Sequence, residues 1–471
     1  PGTRVGIEGM GLTAIDAISD LINGGFKRNK RRPRFEGDKQ GTLEYAPDPN
    51  NGDPSIFLMS GSGTPLLGRP INYKDEPYEP KFFTKERIDD LRRLQFEEIR
   101  ERYGDEKLAN VGITKPEDTQ LDLWGKRTRD EYYERGASIV DLLPPIDPNT
   151  HIMQMDQDGV LSDLFRDMEY AYYNSVMGEE FGKRYIEVAY DENRRIELLS
   201  SVPKEERLRI AELIDPVNNR RPAGAIRLHN GSNNANVEFN ANSNSRKQFE
   251  SIEAYQSFIQ TLLSSDLTHC LKGNMRGLKA ATDVWRDLRD NLRHVMDFGG
   301  VTADSAEFFP LFARLNNRIS AGPPAFRIEE LIALSEAGVI QFMGPHTRIL
   351  TPNNGTKYVL MSPSIAGARD TTTHTQEVDV LIEAFRGSRN EITRAKSPLI
   401  TNMVNSWYLT PLVTEDKVRC RRVHTSGGAR INRSYQAIST DGRVQKNLYV
   451  PGLVSEGTTT FKQNAARPNI G

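Results

Sequence analysis

Residues 4–14 restrict the fold more than any other stretch of the chain. Residues 5–7 form a short apolar run, which predicts a β-strand, and the pattern Gly9-x-Gly11-x-x-Ala14 follows it directly. Apolar residues then recur at helical spacing on one face: Ile15, Ile18, Leu21 and Ile22. Strand, glycine turn and helix in this order predict the opening half of a dinucleotide-binding βαβ unit.

Each residue of this glycine pattern has its own physical role in such a unit. Gly9 permits the tight turn, Gly11 leaves room for a pyrophosphate beside the backbone, and Ala14 lets helix and strand pack closely. The free N–H groups of Leu12 and Thr13, at the helix N-terminus, are the expected donors to phosphate oxygens. Because glycines also occur in ordinary turns, the alternative is a structural turn without a ligand.

A second strand is predicted over residues 54–59, and the segment after it bears on which cofactor binds. An NAD-preferring site places an acidic residue there to hold the ribose 2′-hydroxyl, and no acid is present. Small residues and one cation that could accept a 2′-phosphate follow instead: Ser60, Ser62, Gly63 and Arg69. We therefore expect NADPH. The alternative is that the strand assignment is displaced and that an acid such as Glu44 holds the ribose.

Composition excludes several classes of protein. The 471 residues carry 62 Lys and Arg against 64 Asp and Glu, so no basic field indicates nucleic acid as a partner. No apolar run approaches the roughly 20 residues of a membrane span, and no signal-peptide pattern is present. The two cysteines are far apart, so neither a disulfide framework nor a metal site is expected. We expect a cytoplasmic protein of two or three domains.

The pattern along the chain predicts an α/β fold, Rossmann-like, with a large helical insertion. Four ranges follow from it: 1–70 is the NADPH-binding βαβ segment, and 71–250 is a mainly helical insertion ending in an Asn/Ser-rich loop. Residues 251–345 return as helices to the nucleotide domain, and 346–471 supply the C-terminal strands that complete it. The basic run 27–34 is expected to be a solvated loop.

Two cations stand out at the start of a strongly amphipathic helix predicted over residues 277–298. Arg276 and Lys279 lie in its first turn, where the helix dipole disfavours positive charge. They are our candidate catalytic residues, as ligands for a substrate carboxylate or a cofactor phosphate. A simple contact to a neighbouring carboxylate explains them equally well.

Six segments, in chain order, resemble one family: RVGIEGMGLT (4–13), SGSGTP (60–65), EPKFFT (79–84), GNMRGLKAA (273–281), GPPAFRIEEL (322–331) and NLYVPGLVSEG (447–457). The family comprises FAD/NAD(P)-binding flavoproteins akin to flavin-dependent N-hydroxylating monooxygenases, including the aspartate N-oxygenases that make nitrosuccinate. The Asn/Ser-rich loop and parts of the helical middle have no clear counterpart there.

The resemblance implies two dinucleotide sites, one for FAD and one for NADPH. This chain shows one glycine motif, which corresponds to the NADPH motif, so the FAD turn would lie before Pro1. Either the chain is a piece of a longer protein, which we prefer, or this member has lost its flavin. The C-terminal strand-glycine segment would close the FAD site. The residues expected at the cofactor from these later segments are Ala384, Gly452, Gly457 and Thr458.

The leading hypothesis is an NADPH-dependent, FAD-containing monooxygenase that transfers oxygen from dioxygen to an amine or amino acid. In such an enzyme the cofactors carry the chemistry and the protein orients them. One alternative is a flavin-linked reductase without oxygen transfer, and another is a non-catalytic assembly or regulatory protein on a relic nucleotide fold. The oligomeric state, for which a homodimer is one option, is not fixed by the sequence.

Overall fold

The structure is a computed structural model of the 471-residue chain. The residues it describes are 2–32, 37–126, 128, 146–147, 149–214, 249–307, 309–351, 357–366, 373–384, 392–395, 397–416, 418, 421–423 and 427–460. The Asn/Ser-rich loop at 229–245 and Cys420 lie outside these residues, as do Pro33 and Arg34 of the basic run.

The chain divides into two compact units. Unit 1 consists of Pro1–Lys74, Glu212–Lys279 and Asn317–Phe385, and unit 2 consists of Asp75–Ala211, Ala280–Asn316 and Arg386–Gly471. Each of the four ranges predicted from the sequence contributes residues to unit 1. The four-range division therefore stays a prediction.

The described strands are β1 (Arg4–Glu8), β2 (Gly25–Asn29), β3 (Thr42–Ala46), β4 (Ser55–Met59), β5 (Ile340–Phe342), β6 (Arg348–Leu350), β7 (Tyr358–Ala366), β8 (Thr373–Val378), β9 (Val380–Glu383), β10 (Thr414–Asp416), β11 (Arg421–Val423), β12 (Gln436–Ile438) and β13 (Val444–Tyr449). The described α-helices are α1 (Leu12–Leu21), Lys85–Tyr103, Asp105–Asn110, Val160–Met177, Glu179–Val188, Glu192–Ser200, Lys204–Ile214, Ile252–Lys272, Gly277–Asp287, Arg289–Met296, Ala303–Glu307, Phe309–Ser320, Ala325–Glu336 and Pro398–Asn405.

Unit 1 is built on a parallel sheet of described strands in the order β5-β4-β1-β9. β1 pairs with β4 on one side and with β9 on the other, all in parallel. The two strands predicted at the start of the chain are confirmed and are neighbours. The sheet thus grows outward from β1 through β4 to β5, and the chain later returns to the opposite side of β1. A parallel sheet with helices packed on it is a mixed α/β arrangement of the Rossmann-like type.

Alternate residues of β4 enter two different cores. Ile56 and Leu58 pack with α1 and with the helices Ile252–Lys272 and Ala325–Glu336. Phe57 and Met59 pack instead with residues of the antiparallel sheet β6-β7-β8. Side chains of a strand alternate between the two faces of its sheet, so the parallel sheet is the middle of three layers.

The outer antiparallel sheet explains a glycine inside β1. A Cβ atom at Gly6 would lie 3.2 Å from a methyl group of Val378 in the antiparallel sheet and 3.3 Å from one of Leu381 on β9, so a larger residue would push these side chains aside. The sequence predicts one continuous strand over residues 378–384, and this is wrong in detail. Val378 ends β8 in the antiparallel sheet, and Val380 begins β9 in the parallel sheet.

A hairpin lies between α1 and β4 and corrects the expectation for the basic run. β2 and β3 pair in antiparallel fashion, so Lys27 and Arg28 lie in a strand rather than in a solvated loop. The Arg28 guanidinium forms a two-pronged ion pair with Glu329, one hydrogen bond of which is 2.6 Å long. The run therefore contributes to packing of the hairpin against the helix Ala325–Glu336.

Unit 2 is mainly helical, and one of its helices is defined at both ends by residues with the local chemistry of helix caps. The Thr84 side chain accepts a hydrogen bond from the Arg87 amide at the start of the helix Lys85–Tyr103, which ends at Gly104. The single helix predicted over 277–298 is instead two helices that meet at Leu288. Arg286, on the first of these helices, is 8% exposed and lies 3.7 Å from Asp283.

Buried charges run along one helix of unit 2, Val160–Met177. Arg166 pairs with Asp163 at 2.7 Å, and Arg195 pairs with Glu169 at 2.7 Å. All four side chains are at most 2% exposed. Buried charges persist only when paired and hydrogen-bonded, and these meet that condition.

Within the part of the chain that the structure describes, no helix is long and apolar enough to cross a membrane. The same residues contain no group of three or more His, Cys, Asp or Glu side chains arranged to hold a metal ion.

Candidate functional site

The turn between β1 and α1 has the geometry that the glycine pattern predicts. Gly9 has φ +132°, a conformation that L side chains rarely adopt, and its N–H donates to the Met59 carbonyl over 2.8 Å. The chain therefore leaves the end of β1 tied to the end of β4. Gly11 is the N-cap of α1 and provides no side-chain hydrogen bond to the helix.

The N-terminus of α1 is exposed and uncapped. Leu12 and Thr13 are both exposed, and the first turn contains no acidic side chain. The first N–H groups of a helix have no acceptor within the helix, and the dipole gives them partial positive charge. Ala14, 1% exposed, packs into the core of unit 1. The arrangement offers backbone donors to an anion while the helix itself is held by its buried face.

This helix end lies where the strand order of the sheet reverses. β9 runs beside β1 on the side away from β4, and the Ala384 N–H donates to the Glu8 carbonyl over 2.8 Å. In open parallel sheets, ligands bind at the carboxyl ends of the strands at such a reversal. Ala384 is 3% exposed, and its N–H extends the pairing between β9 and β1 by one hydrogen bond. Its predicted contact with a cofactor stays a prediction.

Two carboxylates also face each other at this edge. Glu8 and Glu383 are paired residues at the ends of β1 and β9. Partial burial raises the pKa of Glu8, and the negative charge of Glu383 raises it further. The sequence analysis did not select either residue. The signal that could have found them is an acid as the last residue of each of two strands predicted to run in parallel.

The loop after β4 contains the predicted ligands for a 2′-phosphate. Ser60 Oγ accepts from the Gly63 N–H over 3.1 Å and lies 3.3 Å from Ser62 Oγ. Ser62 is exposed, whereas Gly63 is buried with φ +71°. A Cβ at Gly63 would meet the Pro345 backbone at 2.6 Å, so glycine is required by the close packing of two backbones. The role of these residues toward a nucleotide stays a prediction.

One side chain joins this loop to the glycine turn. A Cβ on Gly11 would lie 3.4 Å from Leu66 Cδ1, so Leu66 lies beside the turn. Sequence reasoning missed Leu66, because nothing in the pattern places it against the turn. Further along, Arg69 Nε is buried and has no hydrogen-bond partner in the structure, although Arg69 is only partly buried overall. An orphaned guanidinium donor is compatible with an anionic ligand.

The alternative acid, Glu44, lies on β3 of the hairpin. Its Oε1 accepts from Asn29 Nδ2 over 2.9 Å and from Arg32 Nη1 over 3.2 Å. It is therefore engaged within the hairpin and its immediate turn. The expectation of NADPH rather than NADH stays a prediction.

The two candidate catalytic cations are in different environments. Arg276 is exposed, whereas Lys279 is 1% exposed and its Nζ lies 2.5 Å from Asp266 Oδ1. Lys279 Nζ also donates to the Gly68 carbonyl over 2.7 Å. The contact between Lys279 and a carboxylate corresponds to the second explanation weighed from the sequence. A catalytic role for either residue stays a prediction.

The predicted flavin-closing residues lie in unit 2. The Gly457 N–H donates to the Thr459 carbonyl over 3.2 Å, and the Thr458 N–H donates to the Ser455 carbonyl over 3.1 Å. Thr458 is 1% exposed, and its hydroxyl donates to the Ala429 carbonyl. Both amides are thus used inside a local turn. Gly452 is exposed with φ +81°, at the start of a short 3₁₀ helix.

Taken together, the strand order, the glycine turn and the helix packing make unit 1 a mixed α/β unit of the Rossmann-like type, with an exposed and uncapped helix N-terminus after its first strand. Comparison with known proteins adds relatives of named activity. No protein-family model matches the chain.

Three curated relatives share significant similarity with the chain. An L-aspartate N-monooxygenase (nitrosuccinate-forming) of Streptomyces davaonensis is 31% identical over 230 residues, which are 48% of this chain and 33% of that protein. Its counterpart of the same name in Streptomyces cremeus is 30% identical over 241 residues, 50% of this chain and 34% of that protein. Nitrosuccinic acid synthase npaA of Aspergillus oryzae is 28% identical over 221 residues, 46% and 32% respectively.

The matched stretch is about a third of the length of these curated relatives. The resemblance to N-oxygenases noted from the sequence motifs is thus supported by relatives that carry that name. What those proteins do as whole molecules remains, for this chain, a matter of proposal.

Proposed function

We propose that this chain belongs to an NADPH-dependent, FAD-containing oxidoreductase, a monooxygenase that hydroxylates the nitrogen of an amino acid, with NADPH at the β1–α1 turn. The observation that carries the proposal is the exposed, uncapped N-terminus of α1 at the strand reversal of a parallel sheet. The names of the three relatives supply the reaction class and suggest aspartate as the first substrate to test.

The residues of unit 1 fit a dinucleotide. Gly11 leaves space that a larger side chain would share with Leu66, and the amides of Leu12 and Thr13 point out of an uncapped helix. The partnerless Nε of Arg69 could pair with a phosphate oxygen of the same ligand. When bound, NADPH would supply a hydride, and these residues would bind and orient it.

The described residues of unit 2 fit a flavin less well. The amides of Gly457 and Thr458, expected at the reduced flavin, both donate to carbonyls of their own turn. We therefore assign no flavin contact to them and derive no step through that group. FAD stays in the proposal because of the resemblance in sequence alone.

Glu8 and Glu383 act on this site through their charge. Two neighbouring carboxylates repel each other and repel phosphate, and protonating Glu8 relieves both effects. At neutral pH the exposed amides of α1 offset this repulsion for a phosphate bound at the helix end. The site thus combines the partial positive charge at the N-terminus of α1 with the negative charges of Glu8 and Glu383 at the ends of β1 and β9.

A charge placed on α1 tests the proposal. Thr13→Glu puts a carboxylate in the first turn of α1, where it satisfies the helix dipole and repels a phosphate. We expect the dissociation constant for NADP⁺, measured by isothermal titration calorimetry, to rise at least tenfold. Thermal stability should be unchanged or slightly higher, because acidic residues favour helix N-termini.

Thr13→Gln is the matched control, since it has the same size without the charge. It should bind NADP⁺ within about twofold of the wild type, a difference of about 0.4 kcal/mol. Equal affinity of wild type and Thr13→Glu would place the nucleotide elsewhere and contradict the proposal.

Product analysis separates the monooxygenase from its competitors. The protein is supplied with FAD, NADPH, dioxygen and aspartate, and N-hydroxylated product, nitro product and hydrogen peroxide are measured per NADPH consumed. N-oxidised product with little hydrogen peroxide supports oxygen transfer, at up to one N-hydroxylated product per NADPH and at less than one nitro product per NADPH, because a nitro group requires several successive oxidations of the nitrogen. Electron transfer to an added acceptor without product supports the reductase, and absence of any NADPH oxidation supports the non-catalytic alternative.

A further inference from the structure

The loop at residues 60–69 is held along most of its length by groups from outside it. The Gly61 carbonyl accepts from the His346 N–H over 3.2 Å, and the Gly63 carbonyl accepts from the Tyr255 hydroxyl. Near its end, the Leu67 N–H donates to the Arg318 carbonyl, and the Arg69 N–H donates to the Pro323 carbonyl over 2.6 Å. This loop is pre-shaped rather than adaptable.

Its most elaborate attachment is at Gly68. The Gly68 N–H donates to Asp266 Oδ2 over 2.6 Å, and its carbonyl accepts from Lys279 Nζ over 2.7 Å. Asp266 and Lys279 are themselves joined at 2.5 Å. The buried ion pair therefore hydrogen-bonds both backbone polar groups of Gly68: Asp266 accepts from the N–H, and Lys279 donates to the carbonyl.

Gly68 cannot move away from this ion pair without a loss of packing. A Cβ there would lie 2.8 Å from Cys270 Sγ and 3.0 Å from Ile328, so the backbone is already in close contact with two side chains. Lys279 and Asp266 are 1% and 8% exposed, so water does not replace the lost hydrogen bonds when either partner is removed.

The geometry points to Lys279 and Asp266 as positioning residues that fix the loop at residues 60–69 against the nucleotide turn. This inference rests on the proposed function, and it replaces the catalytic role considered for Lys279. The clamp fixes Gly68, which adjoins Arg69 and lies two residues from Leu66, the side chain beside Gly11. A ligand that meets a preformed loop loses less conformational entropy on binding.

The first test is hydrogen–deuterium exchange on the full chain without ligand. In Lys279→Met, we expect the loop amides with described acceptors, at Gly63, Leu67, Gly68 and Arg69, to exchange at least tenfold faster than in the wild type. Amides of α1 beyond its first turn should be unchanged. Unchanged exchange in the loop would overturn the clamp whatever the protein binds.

The second test is the affinity for NADP⁺. The dissociation constant of Lys279→Met should rise at least fivefold, and any measurable kcat at saturating NADPH should stay within about twofold, as for a residue that acts on binding alone. If the wild type itself binds no NADP⁺, the proposed function fails and the clamp loses its role in binding. The exchange result still reports whether the clamp holds the loop.

Two variants guard against loss of folding. Lys279→Met/Asp266→Asn removes the unpaired negative charge and keeps an acceptor for the Gly68 N–H. The double variant should therefore be more stable than Lys279→Met. It should still show the faster exchange of the Arg69 amide, which follows Gly68 in the loop. Arg195→Met breaks a buried ion pair within unit 2, whereas the loop belongs to unit 1. Equal weakening of NADP⁺ binding in Arg195→Met would show a general loss of stability and overturn the positioning role.

Discussion

Two regions of the molecule, the start of α1 in unit 1 and the helix Val160–Met177 in unit 2, treat polar groups in opposite ways. At the start of α1 the free backbone donors are exposed, while the buried face of the helix is apolar. Along Val160–Met177 the charged side chains Arg166 and Asp167 are buried and hydrogen-bonded, and Arg195 pairs with Glu169 of this helix. One region thus has backbone donors without internal acceptors, and the other has a closed network of paired charges.

The difference determines which of the two regions has donors left for an anion. Donors without internal acceptors retain their full capacity to bind an anion, whereas donors already matched would have to lose one partner to gain another. Asp167 illustrates the closed case, because its carboxylate accepts from the Lys81 and Phe83 amides and the Tyr78 hydroxyl, each at 2.7 Å.

Opening the closed network should cost the most. Arg195→Met leaves Glu169 buried with one of its two donors removed, the other being the Tyr185 hydroxyl at 2.7 Å. We expect a loss of about 3–5 kcal/mol in the free energy of unfolding. Chemical denaturation followed by circular dichroism measures it. A loss below about 1 kcal/mol would mean that the buried Glu169 carboxylate does not depend on Arg195 for its hydrogen bonding.

Asp167 should make stability depend on pH. Burial raises its pKa to about 6 from an ordinary 3.8, so the folded state binds the extra proton between these values. The bound proton adds to the free energy of unfolding below about pH 4. This added stability is lost as the pH rises through 6, and the loss is up to about 3 kcal/mol. Urea unfolding from pH 4 to 7 should show the stability of the wild type falling relative to that of Asp167→Asn, which has no titratable group at this position. A constant difference would contradict this.

The glycine turn of unit 1 should respond to a single methyl group. Gly9→Ala introduces a side chain at φ +132°, which we expect to cost about 1–2 kcal/mol of stability. It should also weaken NADP⁺ binding. Gly25→Ala, an exposed glycine of β2 whose Cβ would meet nothing within 4 Å, is the control. Equal effects of both variants would show that the turn has no special conformation.

Removing the charge repulsion at the strand ends should have the smallest effect. The pKa of Glu8 is raised in the folded state above the ordinary value of 4.5, so protonation of Glu8 favours folding. The stability that this protonation provides is therefore lost as the pH rises above 4.5. Glu8→Gln should therefore gain about 0.5 kcal/mol at pH 7, discounted for the partial exposure of the group. Thermal unfolding at pH 5 and pH 7 checks this, and a variant less stable at pH 7 would reverse the sign.

The sequence predicts the fold best where apolar residues are bounded by glycines. β1, the turn, α1 and β4 follow from that pattern because strand and helix periods are both expressed there. The hairpin β2–β3 is missed because its strand β2 is mostly exposed and carries Lys27 and Arg28, which are typical of a loop. The break at Leu288 is missed because neither proline nor glycine marks it, so only the surrounding packing determines it.

The candidate site is predicted in part for a similar reason. The glycine pattern locates Gly9, Gly11 and the helix end, since local chemistry alone requires them. Contacts between distant segments have no such signature. The pairing of Lys279 with Asp266 and the placement of Leu66 beside Gly11 depend on how the layers pack, and no periodicity expresses that.

One residue, Asp379, separates the outer antiparallel sheet from the strand that lines the reversal. Its N–H donates to the Arg4 carbonyl and its carboxylate accepts from the Arg4 N–H, so it is tethered to the first strand on both sides. β8 and β9 are therefore joined by one residue, which spans two Cα steps of about 3.8 Å each. With so short a connection, a sliding movement of β8 would be passed directly to β9, the strand beside β1 at the strand reversal.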